Sequence, residues 1–123
     1  MTDLRSFLEC HQSQQLDSAA ISNKLVGTWS LSISVCYKFP MVNPPRFNVK
    51  VNFNVNGSFI VSDHSGIVTQ GNWKLKNLDP KMWGFDLTSP SEYLYGRILF
   101  CKNQVLFDST YVNGEGCDNV FYK

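Results

Sequence analysis

Residues 24–36, which read KLVGTWSLSISVC, decide the fold of this chain. Two sets of residues alternate through and just beyond this stretch, one largely apolar (Leu25, Trp29, Leu31, Ile33, Val35 and Tyr37) and the other small (Thr28, Ser30, Ser32, Ser34 and Cys36). Successive side chains of a strand point to opposite faces of its sheet, so the pattern predicts a strand with one buried and one solvated face. Such a strand requires a core against its apolar face.

The composition of the chain favours one all-β domain with an ordinary hydrophobic core. The chain has 123 residues, of which 14% are aromatic, and aromatic residues suit pleated, half-buried surfaces. Lys and Arg number 11 against 10 Asp and Glu, which gives a formal net charge of +1. Because no basic run or acidic tail accompanies this balance, we expect no nucleic acid and no strongly charged macromolecule as a partner.

The sequence contains no segment that predicts a membrane span or a signal peptide. No stretch approaches the roughly 20 apolar residues that a membrane span requires, and the N-terminus lacks a charged start followed by an apolar run. A leader removed beforehand would leave no trace, so a periplasmic protein or a lipoprotein stays an alternative. The compartment is therefore left unassigned.

Turn signals divide most of the chain into eight predicted strands. Residues 1–21 are predicted as a lead-in with a short helix, whose apolar stripe is Leu4, Phe7 and Leu8, and then a flexible Ser- and Gln-rich segment. Residues 22–123 are predicted as the β domain. Its strands are expected near 25–37, 47–55, 58–63, 67–76, 82–88, 93–101, 104–112 and 116–123. Short strands joined mostly by tight turns predict an eight-stranded antiparallel up-and-down β-barrel.

The pairing of these strands can be predicted from the turns. A two-residue turn at Lys102 and Asn103 places three pairs of residues opposite one another: Cys101 and Gln104, Ile98 and Phe107, and Arg97 and Asp108. Continuing round the barrel, with the last strand closing on the first, predicts further neighbours: Thr110 and Cys117, Phe107 and Val120, Cys36 and Cys117, Leu31 and Tyr122, and Ile33 and Val120. We expect the Arg97–Asp108 pair to lie on the exterior, where it is worth less than about 1 kcal/mol.

The turn at Asn56 and Gly57 leaves two registers open. A two-residue turn places Phe59 outside, whereas a three-residue turn with Gly57 in a bulge places Phe53 and Phe59 together inside. We prefer the bulge, because it keeps both rings out of water.

The Gly27-Thr28-Trp29 step at the start of the first strand resembles the Gly-x-Trp motif of lipocalins and the wider calycin group. The single long loop at 38–46 and the step Gly116-Cys117-Asp118 are similar to features of small bacterial lipocalin-like domains, over roughly residues 22–123. The resemblance implies a barrel whose loop 38–46 folds over the mouth. Lipocalins usually pack a late Arg over the Trp, and here Lys123 is the residue available to replace it in part.

The inward face is predicted to line a pocket for a small hydrophobic molecule. Its candidate lining is Val35, Phe47, Val49, Val51, Trp73, Phe85, Ile98, Phe107 and Tyr111. Few polar residues are predicted to face inward, namely Ser109, Asp118 and Thr69. Asp118 is expected near the mouth, either solvated or orienting a ligand as a hydrogen-bond acceptor. Gly27 and Trp29 are predicted to be structural, with Trp29 as a plug at the bottom of the barrel.

The four cysteines are predicted to form disulfides or to remain free thiols. In the barrel topology Cys36 and Cys117 are neighbours at the mouth and form the favoured pair, whereas Cys10 and Cys101 lie at the bottom and form a second candidate. The cysteines lack the C-x-x-C spacing that would suggest a metal site. His11 and His64 are not placed to assemble a catalytic set with a Cys or Ser, so neither catalytic residues, metal nor cofactor is predicted.

The sequence therefore predicts a binding protein that holds a small hydrophobic ligand in a lipocalin-like barrel and performs no catalysis, as a monomer or a weak homodimer. A filled barrel that serves as an interaction or structural domain is the alternative, with Tyr93, Tyr95 and Phe121 as an exterior patch. A small isomerase or hydrolase on the same barrel is a third hypothesis.

Overall fold

Two helices precede eight strands in the computed structural model, which describes residues 4–36, 48–79, 82–108 and 117–123. The helices are α1 (Leu4–Gln14) and α2 (Ser18–Leu25). The strands are β1 (Gly27–Cys36), β2 (Lys50–Phe53), β3 (Ser58–Asp63), β4 (Gly66–Asp79), β5 (Met82–Leu87), β6 (Arg97–Cys101), β7 (Gln104–Asp108) and β8 (Cys117–Tyr122), with a 3-10 turn at Glu92–Leu94 between β5 and β6.

The strands form one antiparallel, nearly closed barrel, as the sequence predicts. Their order in the sheet is β5-β4-β3-β2-β1-β8-β7-β6, so the last strand pairs with the first. Among the described residues, β5 and β6 are the strands with a single hydrogen-bonded neighbour. We refer to the gap between them as the β5–β6 seam. The lower end of the barrel is the end where β1 begins and β8 finishes, and the upper end is the opposite one.

Two of the predicted hairpins are confirmed residue by residue. In the β6–β7 hairpin Arg97 pairs with Asp108 and Ile98 pairs with Phe107. Lys102 in its turn has a φ of 56°, which is the left-handed conformation that a tight two-residue turn requires. In the β2–β3 hairpin Phe53 lies opposite Phe59, and both rings are buried, so the preferred bulged turn is the correct one.

The predicted register of β8 is partly wrong. Phe107 pairs with Asn119 and not with Val120. In β1 the pairing shifts between Leu31 and Ile33, so Leu31 lies opposite Phe121 instead of Tyr122, while Ile33 lies opposite Val120 as predicted. A bulge of this kind reverses which side chains face inward, because the strand period is two residues.

The predicted sixth strand begins too early in the chain. Residues 92–94 form the 3-10 turn, and Gly96 has a φ of 101°, a conformation that favours glycine and interrupts an extended strand. Tyr93 in this turn is 8% exposed and Phe121 in β8 is fully buried, so neither belongs to an exterior patch. Of that predicted patch only Tyr95 is exposed.

Two apolar clusters hold the barrel together. The main core fills its interior and consists of Ile21, Leu25, Trp29, Val49, Val51, Phe53, Phe59, Val61, Phe85, Tyr93, Leu94, Ile98, Phe100, Val105, Phe107 and Phe121. The outer cluster lies between α1 and the outer face of the sheet and consists of Phe7, Met82, Leu99, Leu106 and Val120. Because Met82 belongs to β5 and Leu99 to β6, α1 spans the β5–β6 seam.

Helix α1 satisfies the unpaired edge of β6. The backbone N–H of Phe100 donates to Nδ1 of His11 at 2.9 Å, and the carbonyl of Phe100 accepts from Nε2 of Gln14 at 2.9 Å. These two side chains take the place of a neighbouring strand, because an exposed edge would leave both backbone groups unpaired. The prediction of a flexible lead-in is therefore wrong, because this segment is helical and hydrogen-bonds to the edge of the sheet.

A disulfide joins α1 to the end of β6. It links Cys10 and Cys101, the second of the two predicted pairs, across a Cα–Cα distance of 5.4 Å. Cys36 and Cys117 are directly opposite in the β1–β8 ladder, as predicted. The side chains of Cys36 and Cys117 lie outside the described set, so a disulfide between them stays a prediction.

Helix α2 and Lys123 seal the lower end of the barrel around Trp29. The indole N–H of Trp29 donates to the carbonyl of Leu25 at 2.8 Å, and the ring is 3% exposed. Nζ of Lys123 donates to the carbonyl of Val26 at 2.7 Å and lies 5.0 Å from the Trp29 ring centre. Gly27 has a φ of 128°, a conformation that favours glycine, and a Cβ there would require the flexible end of Lys123 to shift. The structural role predicted for the Gly-Thr-Trp step is compatible with these contacts.

The stability of the protein is expected to fall on mild acidification because His11 is buried. Desolvation, with a contribution from the nearby charge of Arg97, lowers the pKa of His11 from its ordinary 6.5. Between pH 6.5 and the lowered pKa, His11 is therefore protonated in the unfolded chain and mostly neutral in the folded chain. The stabilising contribution is complete above pH 6.5 and is lost as the pH falls from 6.5 toward the lowered pKa of the folded state.

Urea denaturation of the wild type and of His11→Gln between pH 7 and pH 5 checks this expectation. Glutamine offers the Phe100 amide an acceptor that does not titrate. The difference in free energy of unfolding between the wild type and His11→Gln should therefore shrink as the pH falls. His64→Gln is the matched control in the β3–β4 turn. An identical acid dependence in the wild type and in His11→Gln would contradict the expectation.

Candidate ligand site in the barrel lumen

The middle of the barrel is filled by aromatic rings that contact one another. The Phe53 and Phe85 rings stack with centroids 5.3 Å apart, and Trp73 meets Phe53 edge-on at 5.4 Å. Phe107 continues the contacts at 5.5 Å from Phe85 and 5.6 Å from Phe121. Aromatic pairs at these separations add to the energy of burial. We call these five rings the aromatic floor.

Most of the described residues predicted to line a pocket belong to this packed core. Val49, Val51, Phe85, Ile98 and Phe107 are between 0% and 8% exposed and form part of the main core. Trp73 is half-buried and packs against it. The predictions for Phe47, Tyr111 and Ser109, and for the lid at 38–46, fall on residues outside the described set, as does the side chain of Val35.

The inner face becomes polar toward the upper end of the barrel. Asn119 shares the inner face with its partner Phe107, accepts a hydrogen bond from the hydroxyl of Ser34 and donates to the carbonyl of Tyr93 at 3.5 Å. Thr69 lies opposite the buried Val61 and is half-buried, so it also faces inward, as predicted. We call Ser34, Thr69 and Asn119 the inner polar group. Sequence reasoning missed Ser34 because it did not include the β1 bulge, and it missed Asn119 because it placed Val120 opposite Phe107.

Asp118 does not line the lumen at a solvated mouth, contrary to prediction. It is 4% exposed and lies two residues before Val120, which packs in the outer cluster. Side chains two positions apart in a strand share a face, so Asp118 points to the outer side of the sheet. The β7–β8 register, continued by one residue beyond Phe107, places it beside Asp108. Its predicted role in orienting a ligand inside the barrel is therefore withdrawn.

The ion pair on this outer face is largely shielded from solvent. Nε of Arg97 donates to Oδ2 of Asp108 at 2.8 Å, and the two side chains are 13% and 1% exposed. The prediction of an exterior cross-strand pair is correct in register and wrong in environment, because α1 and the outer cluster cover this face of the sheet.

The β5–β6 seam opens onto a groove of about 250 Å³. Phe85 and Leu94, which belong to the main core, also line this groove. Gly84 allows the two sides of the seam to approach, since a Cβ there would lie 3.1 Å from the carbonyl oxygen of Gly96. The seam is thus closed by packing rather than by a hydrogen-bonded ladder.

Neither a grouped set of metal ligands nor a membrane-spanning helix is found among the described residues. Within the described ranges, no three His, Cys, Asp or Glu side chains are grouped so that they could hold a metal ion. Neither described helix has the length and apolar character needed to cross a bilayer.

The fold and lumen define a small antiparallel β-barrel protein with an N-terminal helical cover. Comparisons with protein-family models and with curated proteins find no match. Among solved structures, the chain is similar to the crystal structure of a DUF4847 family protein from Bacteroides vulgatus ATCC 8482, with a TM-score of 0.51 and 16% identity. The similarity covers 80% of this chain and 92% of that protein. At this identity the likeness concerns the fold alone.

Proposed function

We propose that this protein is a lipocalin-like binding module for a small, mostly apolar molecule, and that it binds without chemical conversion. The ligand would occupy the upper end of the lumen, above the aromatic floor. The observation that carries this proposal is the change of lining along the barrel, from packed rings to the inner polar group. Apolar walls with a few placed polar groups are typical of small-molecule sites.

The aromatic floor limits how deep such a ligand would reach. Phe53 and Phe107 are 1% and 0% exposed, and displacing them would cost the contacts of the main core. An apolar ligand would therefore rest on the rings, and its polar end would compete for the hydrogen-bonding groups of Ser34, Thr69 and Asn119.

Adding bulk at Thr69 is expected to weaken ligand binding, whereas adding the same bulk at Gln70 is not. Thr69 faces the lumen opposite Val61, and Gln70 is exposed on the other face of β4. We expect Thr69→Phe to weaken the binding of the apolar fluorescent probe 1-N-phenylnaphthylamine at least about tenfold, a loss of about 1.4 kcal/mol or more. Gln70→Phe should bind like the wild type.

Thermal denaturation of each variant shows whether the barrel still folds, and Thr69→Val provides a nearly isosteric inward variant. Native mass spectrometry of the purified wild type would reveal a co-purified ligand directly. A wild type that carries no small molecule and binds no apolar probe would reject the proposal.

A filled barrel that acts as an interaction domain is the second candidate function. The continuous packing of the aromatic floor favours it, as does the tip of the β3–β4 hairpin, where Ile67 and Val68 are 62% and 37% exposed. The occupant suggested by this exposure is a second copy of the chain. Analytical ultracentrifugation of the wild type and of Ile67→Ser tests it, since only the wild type should then dimerise.

A further inference from the structure

A cleft outside the barrel lies between the helical cover and β5. Its volume is about 580 Å³, and its lining consists of His11, Gln12, Gln15, Leu16, Asp17, Ser18, Met82 and Trp83. This volume falls within the range of roughly 300–1,000 Å³ that is typical of small-molecule sites. The cleft shares no described residue with the inner polar group, so it is distinct from the lumen site.

The chain conformation between the two helices shapes one wall of this cleft. Gln15 follows α1 and has a φ of 51°, and Asp17 caps α2 by accepting from the backbone N–H of Ala20 at 2.8 Å. Between them Leu16 packs against the main core. The wall is therefore anchored, although the side chains of Gln12 and Gln15 extend into solvent.

The base of the cleft is apolar and is formed by Leu16, Met82 and Trp83. Met82 is held in the outer cluster, and Trp83 packs against the main core while remaining half-buried. Trp83 is the aromatic residue among the described lining residues. A half-buried indole with polar neighbours combines a large contact area with low conformational entropy.

The described polar lining is almost entirely uncharged. Gln12 and Gln15 supply two amides and Ser18 a hydroxyl, each of which can donate and accept hydrogen bonds. His11 uses Nδ1 to accept from Phe100, so its neutral ring carries the proton on Nε2 as a further donor. Asp17 is the charged member of the described lining, and one of its oxygens is already engaged by α2.

From this combination we infer that the cleft binds a neutral, polyhydroxylated ring, such as a saccharide unit. The apolar face of such a ring would lie on Trp83, and its hydroxyl groups would pair with the amides of Gln12 and Gln15 and with the hydroxyl of Ser18. An anionic ligand would find no cation among the described lining residues. A long acyl chain would remain largely in water, because the rim is polar and solvent-exposed.

Binding is tested by two-dimensional ¹H–¹⁵N NMR titration of the full chain with cellobiose, methyl α-D-mannopyranoside and N-acetylglucosamine. We expect at least one of these to shift the indole N–H of Trp83 and the side-chain amides of Gln12 and Gln15. Gln12→Leu should weaken that binding at least about fivefold, whereas Gln70→Leu, a matched change on exposed β4, should not. Trp83→Phe should retain part of the affinity that Trp83→Ala loses.

Two further probes and the lumen variant make the outcome decisive. Phenyltrimethylammonium and octanoate represent cationic and anionic ligands, and a Trp83-dependent response to either one in place of the sugars would overturn the inference. So would the absence of any sugar-induced shift, or shifts confined to Thr69 and Asn119. Thr69→Phe should leave sugar binding unchanged, so the cleft and the lumen site can fail independently.

Discussion

Loss of the Cys10–Cys101 disulfide is expected to lower the free energy of unfolding by about 4 kcal/mol. The two cysteines are 91 positions apart, so the bond restricts most of the unfolded chain. In the folded protein the bond also holds α1 beside β6, where His11 and Gln14 satisfy Phe100. Urea denaturation of the double variant Cys10→Ser/Cys101→Ser, followed by tryptophan fluorescence, measures the loss.

Hydrogen exchange at the Phe100 amide gives a local control for this result. The amide should exchange faster in the double variant, because α1 is then no longer tethered to the strand whose edge it covers. Adding dithiothreitol to the double variant isolates any further contribution from Cys36 and Cys117. A loss below about 1 kcal/mol would show that the Cys10–Cys101 bond is not a major source of stability.

Removing the partly buried cation in Arg97→Ala is expected to destabilise the protein by about 3 kcal/mol or more. The substitution leaves the carboxylate of Asp108, which is 1% exposed, without the Arg97 guanidinium. Losing the counter-charge of a buried carboxylate costs far more than losing a solvated ion pair. Chemical denaturation of the variant and the wild type at pH 7 measures the effect.

The exposed cross-strand pair between Lys74 and Asp86 supplies the matched control. Its two charged atoms are 3.6 Å apart, and its side chains are 77% and 55% exposed. Lys74→Ala should therefore cost less than about 1 kcal/mol. Replacing both Arg97 and Asp108, by Met and Leu, should recover much of the stability that Arg97→Ala loses. Equal costs for Arg97→Ala and Lys74→Ala would contradict the burial argument.

The β6–β7 and β2–β3 hairpins could be predicted because local turns set their registers. The two-residue turn at Lys102 and Asn103 determines every pair in its hairpin, including the one between Arg97 and Asp108. The bulge near Ser32 has no comparable local signal, since Leu31, Ile33 and Val35 alternate without interruption through it. The inward position of Ser34 depends on that bulge, so it could not be predicted from alternation alone.

The integration of α1 was missed because two of its essential contacts are polar. The stripe of Leu4, Phe7 and Leu8 predicts one or two helical turns, but His11 and Gln14 read as solvent-exposed in a hydropathy pattern. Their partners are the backbone N–H and C=O of Phe100, in a strand far away in the chain. Backbone groups are nearly the same for every residue type, so the sequence gives no signal for this contact. For the same reason, the external cleft beside α1 left no recognisable signature in the sequence.

The pairing of β1 with β8 has a consequence for how the protein is made. On a ribosome, the first strand emerges long before its second neighbour has been synthesised, so one of its edges stays open throughout translation. The hairpins can assemble early from nearby residues, whereas joining β1 to β8 requires a loop that spans most of the chain. The pairing of these two strands is therefore a late event, and the open edge of β1 is exposed to association with other strands until it occurs.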